Sequence, residues 1–172
     1  VKFANVNGSG SASANELFAR SLLRMGVPVS PRNIFPSNIQ GLPTWYEVRV
    51  SERGWLGRRG GIDMMVAMNP QTWETDVAEI EPGGYLLYDS TRPLPPTAFR
   101  DDVQVIGVPL TQITNDAYSD PRQRQLFKNI VYVGVLSVLL DMDVSVFEKL
   151  VAEQYKGKER LLGANLQALQ IG

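Results

Sequence analysis

Residues 2–26 read "KFANVNGSGSASANELFARSLLRMG". Lys2 to Val6 has the composition of a β-strand, and its apolar run stops at the cluster Gly8-Ser9-Gly10. Beyond the cluster, Leu17, Phe18, Leu22 and Met25 share one helical face while Glu16, Arg20 and Arg24 point away, and Gly26 supplies the stop. A strand that runs through glycines straight into a helix is a βα unit. It carries the unpaired amides of the helix N-terminus to the end of the strand, where the helix dipole favours an anion. Glycine permits both the tight turn and a close approach to the backbone.

Spacing alone leaves the anion open. Written as G-x-G-x-x-S, with Ser13 in the sixth place, the segment is one glycine short of the dinucleotide fingerprint. That fingerprint also needs an acidic residue about 20 positions further on for the ribose hydroxyls. Here no Asp or Glu lies between Glu16 and Glu47, which argues against NAD, and no Gly-Lys-Ser/Thr follows to make a P-loop. Gly8, Ser9, Gly10, Ser11 and Ser13 are the candidate phosphate loop. The competing structural reading is that Gly8 and Gly10 only let the turn close, with Ser11 or Ser13 capping the helix.

Outward from this unit, strands and helices alternate. Pro28 to Phe35 reads as a strand confined to an edge by Pro28 and Pro31, followed by the loop "PSNIQGLP". Thr44 to Ser51 alternates as a strand and turns into "GWLGRRGG", and Asp63 to Met68 is the apolar run of a sheet interior. Asn69 and Pro70 open a helix carrying Trp73, Val77 and Ile80, which Pro82-Gly83-Gly84 ends. Tyr85 to Tyr88 and Val103 to Val108 complete the strands. Asp120-Pro121 opens a long helix to about Leu140, Ser145 to Glu148 forms a capping box for another, and Lys158 to Leu169 makes a third. The pattern predicts an α/β fold with helices on the faces of the sheet and a helical C-terminal third. A start at Val1 and an end straight after a helix suggest a chain cut from a longer one.

Composition removes much chemistry. The 172 residues carry 17 Lys and Arg against 18 Asp and Glu with no block of one sign, so no footprint for nucleic acid or an anionic membrane surface is visible. The longest apolar run, Ile130 to Leu140, is far short of the roughly 18–20 residues of a membrane span. Cys and His are both absent, so the chain supplies no Fe–S ligand, no zinc site, no thiol nucleophile and no Ser-His dyad. A cysteine-free chain fits a reducing cytosol, and a cytoplasmic location is expected.

The remaining constellations are less specific. The loop Phe35 to Pro43 puts Ile39 and Leu42 beside amides, which suits either a ligand or partner surface or a loop packed on its own domain. Arg58 and Arg59, between glycines, offer guanidinium forks to an anion or simply mark a solvated turn. Asp141 and Asp143 are too few for a hard-metal site, and Asp143 suits a helix cap. No carboxylates form an acid–base pair, so no catalytic residue is assigned.

Taken together, "NVNGSGSASANELFARSLLRMG", "IFPSNIQGLPTWYEVRVS", "DMMVAMNPQTW", "GGYLLYDST", "DPRQRQLFKNIVYVG" and "EQYKGKE" resemble the γ-type domain of the 2-oxoacid:ferredoxin oxidoreductases, over essentially the whole chain. The likeness is closest to the branch in which this domain is fused at the N-terminus of the α subunit, as in 2-oxoglutarate-type enzymes. It implies one domain over 1–172, a Rossmann-like or flavodoxin-like sheet with flanking helices and a helical segment at about 120–172. It further implies an accessory role: helping to cover a coenzyme A site, with thiamine diphosphate, Mg2+ and a [4Fe–4S] cluster on other α domains and the β subunit, and with ferredoxin reached through the complex. On this resemblance Gly8, Ser9, Gly10, Ser11 and Ser13 fall on the coenzyme A loop, although Ser11, Ala12 and Ser13 stand where many members have further glycines. Asn38, Gln40, Arg58 and Arg59 fall in segments facing the active-site side or a partner. The alternatives are a non-catalytic nucleotide- or coenzyme A-binding module and a structural interaction module.

Overall fold

The computed structural model describes residues 1–172 as a six-stranded sheet with six helices. The strands are β1 (Lys2–Val6), β2 (Val29–Ile34), β3 (Pro43–Val50), β4 (Ile62–Ala67), β5 (Ile80–Asp89) and β6 (Gln104–Val108). The helices are α1 (Ser11–Arg24), α2 (Trp73–Ala78), α3 (Leu110–Ala117), α4 (Pro121–Leu139), α5 (Val144–Gln154) and α6 (Glu159–Ile171). Strand order is β2-β3-β1-β4-β5-β6. β1, β4, β5 and β6 pair in parallel, and β3 alone runs against its neighbours. The reason is the connection: β2 returns through the loop 35–42, which can close an antiparallel hairpin but is too short for a parallel crossover. The prolines of β2 are tolerated because it lies at the sheet edge, as the sequence predicts.

Side-chain alternation divides the core in two. Phe3, Tyr46, Val48, Met64, Val66 and Leu87 face α1 and α3 to α6 in the larger cluster, where Phe3 meets Phe18 edge-on at 5.3 Å between ring centroids. Ala4, Met65, Ala67 and Leu86 face the other way and pack with Val77 of α2 in a smaller one. β4 is buried on both faces over Met64 to Ala67, which is why it reads as an unbroken apolar run.

Several local expectations are corrected. α2 ends at Ala78, and Ile80 already pairs with Ile62, so Pro82-Gly83-Gly84 lies within β5 at a register shift rather than closing a helix. The glycines absorb the extra residues there. Ser145 does not open α5: the Asp143 carboxylate accepts from the Ser145 amide at 2.9 Å and is the cap. The helical segment starts at Leu110 with α3, because the Pro109 turn leads straight from β6 into a helix. No helix is long and apolar enough to cross a membrane.

Candidate functional site

The C-terminal edge of the parallel strands gathers the turns after β1, β4, β5 and β6 together with the β2–β3 loop. From β1 the chain crosses through α1 toward β2, and from β4 it crosses through α2 to β5 on the opposite side. The direction of winding therefore switches between β1 and β4. Open α/β sheets take their ligands at such a switch point, and the glycine loop follows β1 directly beside it.

Gly8 and Gly10 both adopt left-handed backbone angles, φ +83° and φ +79°, and both are exposed. Gly10 is the N-cap residue of α1, so the helix starts with no side-chain cap. The serine cap of the competing structural reading is not formed: glycine occupies the cap position, and Ser11 and Ser13 fall inside the first turn, one buried and one exposed. Ser9 N donates to Val6 O at 3.1 Å, but the amides of Gly8, Gly10, Ser11, Ala12 and Ser13 find no acceptor within the protein. The Ser9 hydroxyl is buried and also unpartnered. Open amides at the positive end of a fourteen-residue helix suit an anion such as phosphate, and the buried Ser9 hydroxyl lies next to them.

Asn38 and Gln40 belong to the same edge. Asn7 N donates to Leu42 O at 2.8 Å, Gly41 N to Asn7 O at 2.9 Å and Asn7 Nδ2 to Ile39 O at 3.1 Å, which latches the loop 35–42 onto the glycine turn. The Gln40 side chain fills the space over Gly8, where a Cβ would stand 2.6 Å from its Cγ. Arg58 and Arg59 are not brought in. They lie at the opposite end of the sheet, before β4, where Arg58 donates to Ser30 O at 3.0 Å and Arg59 pairs with Asp63 at 2.8 Å. Arg58 is engaged within its own domain by Ser30 and Glu47, whereas the Arg59–Asp63 pair is largely exposed.

Residues to which the sequence motifs assign no site role complete the edge. Asn129 of α4 donates to Ser9 O at 2.8 Å, and Tyr132 to Asn15 Oδ1 at 2.6 Å; Asn15 Nδ2 donates to Asn5 Oδ1 at 3.1 Å, and Asn69 Nδ2 to Asn5 O at 3.3 Å. All of these side chains are buried. The signal that could have found them is an Asn on the apolar face of α1 and an Asn and Tyr in the apolar half of α4, since buried polar groups need partners. Burial drives the Tyr132 phenol far above the ordinary tyrosine range. Beside this network a cavity of about 690 Å³ is lined by Met68, Gln71, Trp73, Tyr88, Thr111 and Lys128. At its wall Asp89 accepts from Thr91 and Thr111; burial raises its pKa, but these hydrogen bonds outweigh burial and hold it below the usual carboxylate range. No three acidic side chains converge to hold a metal ion.

A family model described as pyruvate ferredoxin/flavodoxin oxidoreductase matches residues 1–172. The chain is 23% identical to the α subunit of 2-oxoacid:ferredoxin oxidoreductase 2 of Aeropyrum pernix over 95% of this chain and 31% of that one. It superposes on the 2-oxoglutarate:ferredoxin oxidoreductase of Magnetococcus marinus, solved with 2-oxoglutarate, coenzyme A and succinyl-CoA bound, with a TM-score of 0.86 and 25% identity over 98% of this chain and 29% of that one. It also superposes on the γ subunit of a keto/oxoacid ferredoxin oxidoreductase of Geobacter sulfurreducens, with a TM-score of 0.75 and 21% identity over 99% of this chain and 93% of that subunit. The chain thus spans less than a third of the Aeropyrum and Magnetococcus proteins and nearly the whole of the Geobacter fold.

Proposed function

The chain belongs to the pyruvate ferredoxin/flavodoxin oxidoreductase family, and from that premise we propose that it is the γ-type domain of a thiamine diphosphate-dependent 2-oxoacid:ferredoxin oxidoreductase of the 2-oxoglutarate type, and that it helps to hold coenzyme A. The observation that carries the reading is the β1–α1 turn, whose amides at Gly8, Gly10, Ser11, Ala12 and Ser13 have no acceptor within the protein and lie beside the switch point between β1 and β4. A pyrophosphate needs donors, not acid–base groups, and donors are what the turn offers. The 2-oxoglutarate type follows the likeness to the Magnetococcus enzyme.

In this reading coenzyme A, when bound, supplies the thiol that accepts the acyl group of the 2-oxoacid. The residues of this chain bind and orient it. Gly8 and Gly10 hold the left-handed backbone angles that shape the turn, the amides at the start of α1 neutralise the phosphate charge, and the loop 35–42 with Asn38 and Gln40 forms the outer rim. In this reading the iron–sulfur cluster lies on another subunit, since this chain has no Cys to ligate it, and thiamine diphosphate and Mg2+ lie between the remaining α domains and the β subunit, as the family resemblance implies.

Calorimetric titration of the chain with coenzyme A and with NAD tests the reading. Coenzyme A binding without NAD binding is expected, and the R58A and R59A variants should bind coenzyme A within about twofold of wild type because those guanidinium groups sit at the far edge. No turnover is expected from the chain alone, and addition of the other α domains and the β subunit should give it. Tight NAD binding with no response to coenzyme A would overturn the proposal in favour of a nucleotide-binding module.

A further inference from the structure

We propose that Asn129 is the positioning residue of the glycine loop: by holding the Ser9 carbonyl against α4, it aims the Gly10 amide at the phosphate of the incoming ligand. The inference rests on the reading of that loop as an anion contact, and it assigns the loop's geometry to a residue 120 positions away.

Asn129 is 3% exposed, and its Nδ2 reaches Ser9 O at 2.8 Å. A second bond to Gln125 O at 3.3 Å, one turn back along α4, fixes the side-chain rotamer. The peptide between Ser9 and Gly10 is planar and trans, so its carbonyl and its N–H point in opposite directions. With the carbonyl drawn toward α4, the Gly10 N–H faces away from the helix, where Gly10 is exposed and the amide has no acceptor.

That orientation would not hold itself. Glycine adopts either sign of φ at little cost, so a peptide leading into Gly10 and close behind Gly8 can turn over with little steric resistance. Once turned, it would present a carbonyl oxygen to the ligand, which repels a phosphate where an N–H attracts it. Leu126, one turn before Asn129, presses on the same place: a Cβ on Gly10 would lie 2.7 Å from its Cδ1. One face of α4 therefore supplies both the hydrogen bond that sets the peptide and an apolar contact over Gly10, whose left-handed φ of +79° is what favours glycine there. A purely structural Asn129, satisfying a buried carbonyl and nothing more, would affect stability without changing which ligands bind.

The test uses the ¹⁵N-labelled chain, titrated with inorganic pyrophosphate, coenzyme A and uncharged pantetheine. In wild type the Gly10 and Ser11 amide resonances should shift with pyrophosphate. N129L, of similar shape but without a donor, should weaken pyrophosphate and coenzyme A binding roughly tenfold, the scale of one charge-assisted hydrogen bond, while any pantetheine binding stays unchanged. N165L removes another buried Asn, one that donates only within α6 to Leu161 O, and should leave pyrophosphate affinity within about twofold as a control for stability. If N129L fails to fold, N129A is read by the same criteria. Wild-type pyrophosphate affinity in a folded Asn129 variant, or a Gly10 amide that does not respond in wild type, would overturn the assignment. If wild type binds pyrophosphate and loses it in N129L but never binds coenzyme A, the coenzyme A reading falls and the role of Asn129 stands. If wild type binds neither, both fall.

Discussion

The Tyr132 hydroxyl of α4 donates to Asn15 Oδ1 of α1 at 2.6 Å, and neither side chain is more than 2% exposed. The bond joins two helices that otherwise meet through apolar contact, and Asn15 passes it on to Asn5 at the end of β1. Y132F keeps the ring and its contact with Phe3 at 5.9 Å but leaves a buried acceptor on Asn15 short of a donor. It should lower unfolding free energy by about 1–2 kcal/mol. Urea denaturation of the two proteins measures this directly, and equal midpoints and slopes would show that the bond contributes nothing.

Ser9 presents the opposite case. Its hydroxyl is buried without a partner, a state that costs the folded protein about 1–3 kcal/mol of desolvation. S9A should therefore be as stable as wild type or more so, and should bind coenzyme A more weakly if the hydroxyl is kept for the ligand. Thermal melts paired with calorimetry separate the two effects. A variant that loses stability and retains affinity would remove Ser9 from the site.

Asp89 sets an acid limit. Its carboxylate accepts from Thr91 N at 3.1 Å and Thr111 N at 3.2 Å and from both threonine hydroxyls, and Lys128 Nζ lies 3.8 Å away. Its folded pKa is held below the unfolded value, so its contribution is complete above about pH 4, the unfolded range for Asp. It is lost as pH falls through the folded value. D89N should cost about 1–2 kcal/mol near pH 7 and flatten the acid limb of the stability profile. Parallel pH profiles for D89N and wild type would contradict this.

Gly134 marks a close crossing of helices. A Cβ there would overlap the Leu169 carbonyl oxygen of α6 and come within 3.0 Å of Gly172 Cα. Backbone cannot move aside as a flexible side chain does, so G134A should separate α4 from α6. We expect a loss of about 1–3 kcal/mol, the upper half of that range being the more reasonable for a clash with main chain. Native-state hydrogen exchange should show it first in α6. Unchanged protection of residues 159–171 in G134A would refute the close-packing account.

Much of this architecture is legible along the chain because it is encoded locally. The βα unit at Lys2 to Arg24, the edge position of β2 and the Asn69, Asp120 and Asp143 caps follow from periodicity, proline and short-range hydrogen bonding. The family resemblance rests on ordered motifs in the same way, and the family match over residues 1–172 agrees with it. Local reading misplaced the end of α2 because Pro82-Gly83-Gly84 carries a helix-stop signal, which pairing with β4 overrides in favour of a strand.

What the sequence by itself determined was the elements, their polarity and the glycine turn at the end of β1. Which side chains meet at that turn was decided only when the chain folded. Asn129 and Ser9 lie 120 residues apart, and no spacing rule links them. The sequence leaves Arg58 and Arg59 open between an anion contact and a solvated turn, and the hairpin that reverses β3 carries them to the end of the sheet away from the glycine turn. The physical reason is that hydrogen bonds and burial act through distances in space, and sheet order and strand direction set those distances.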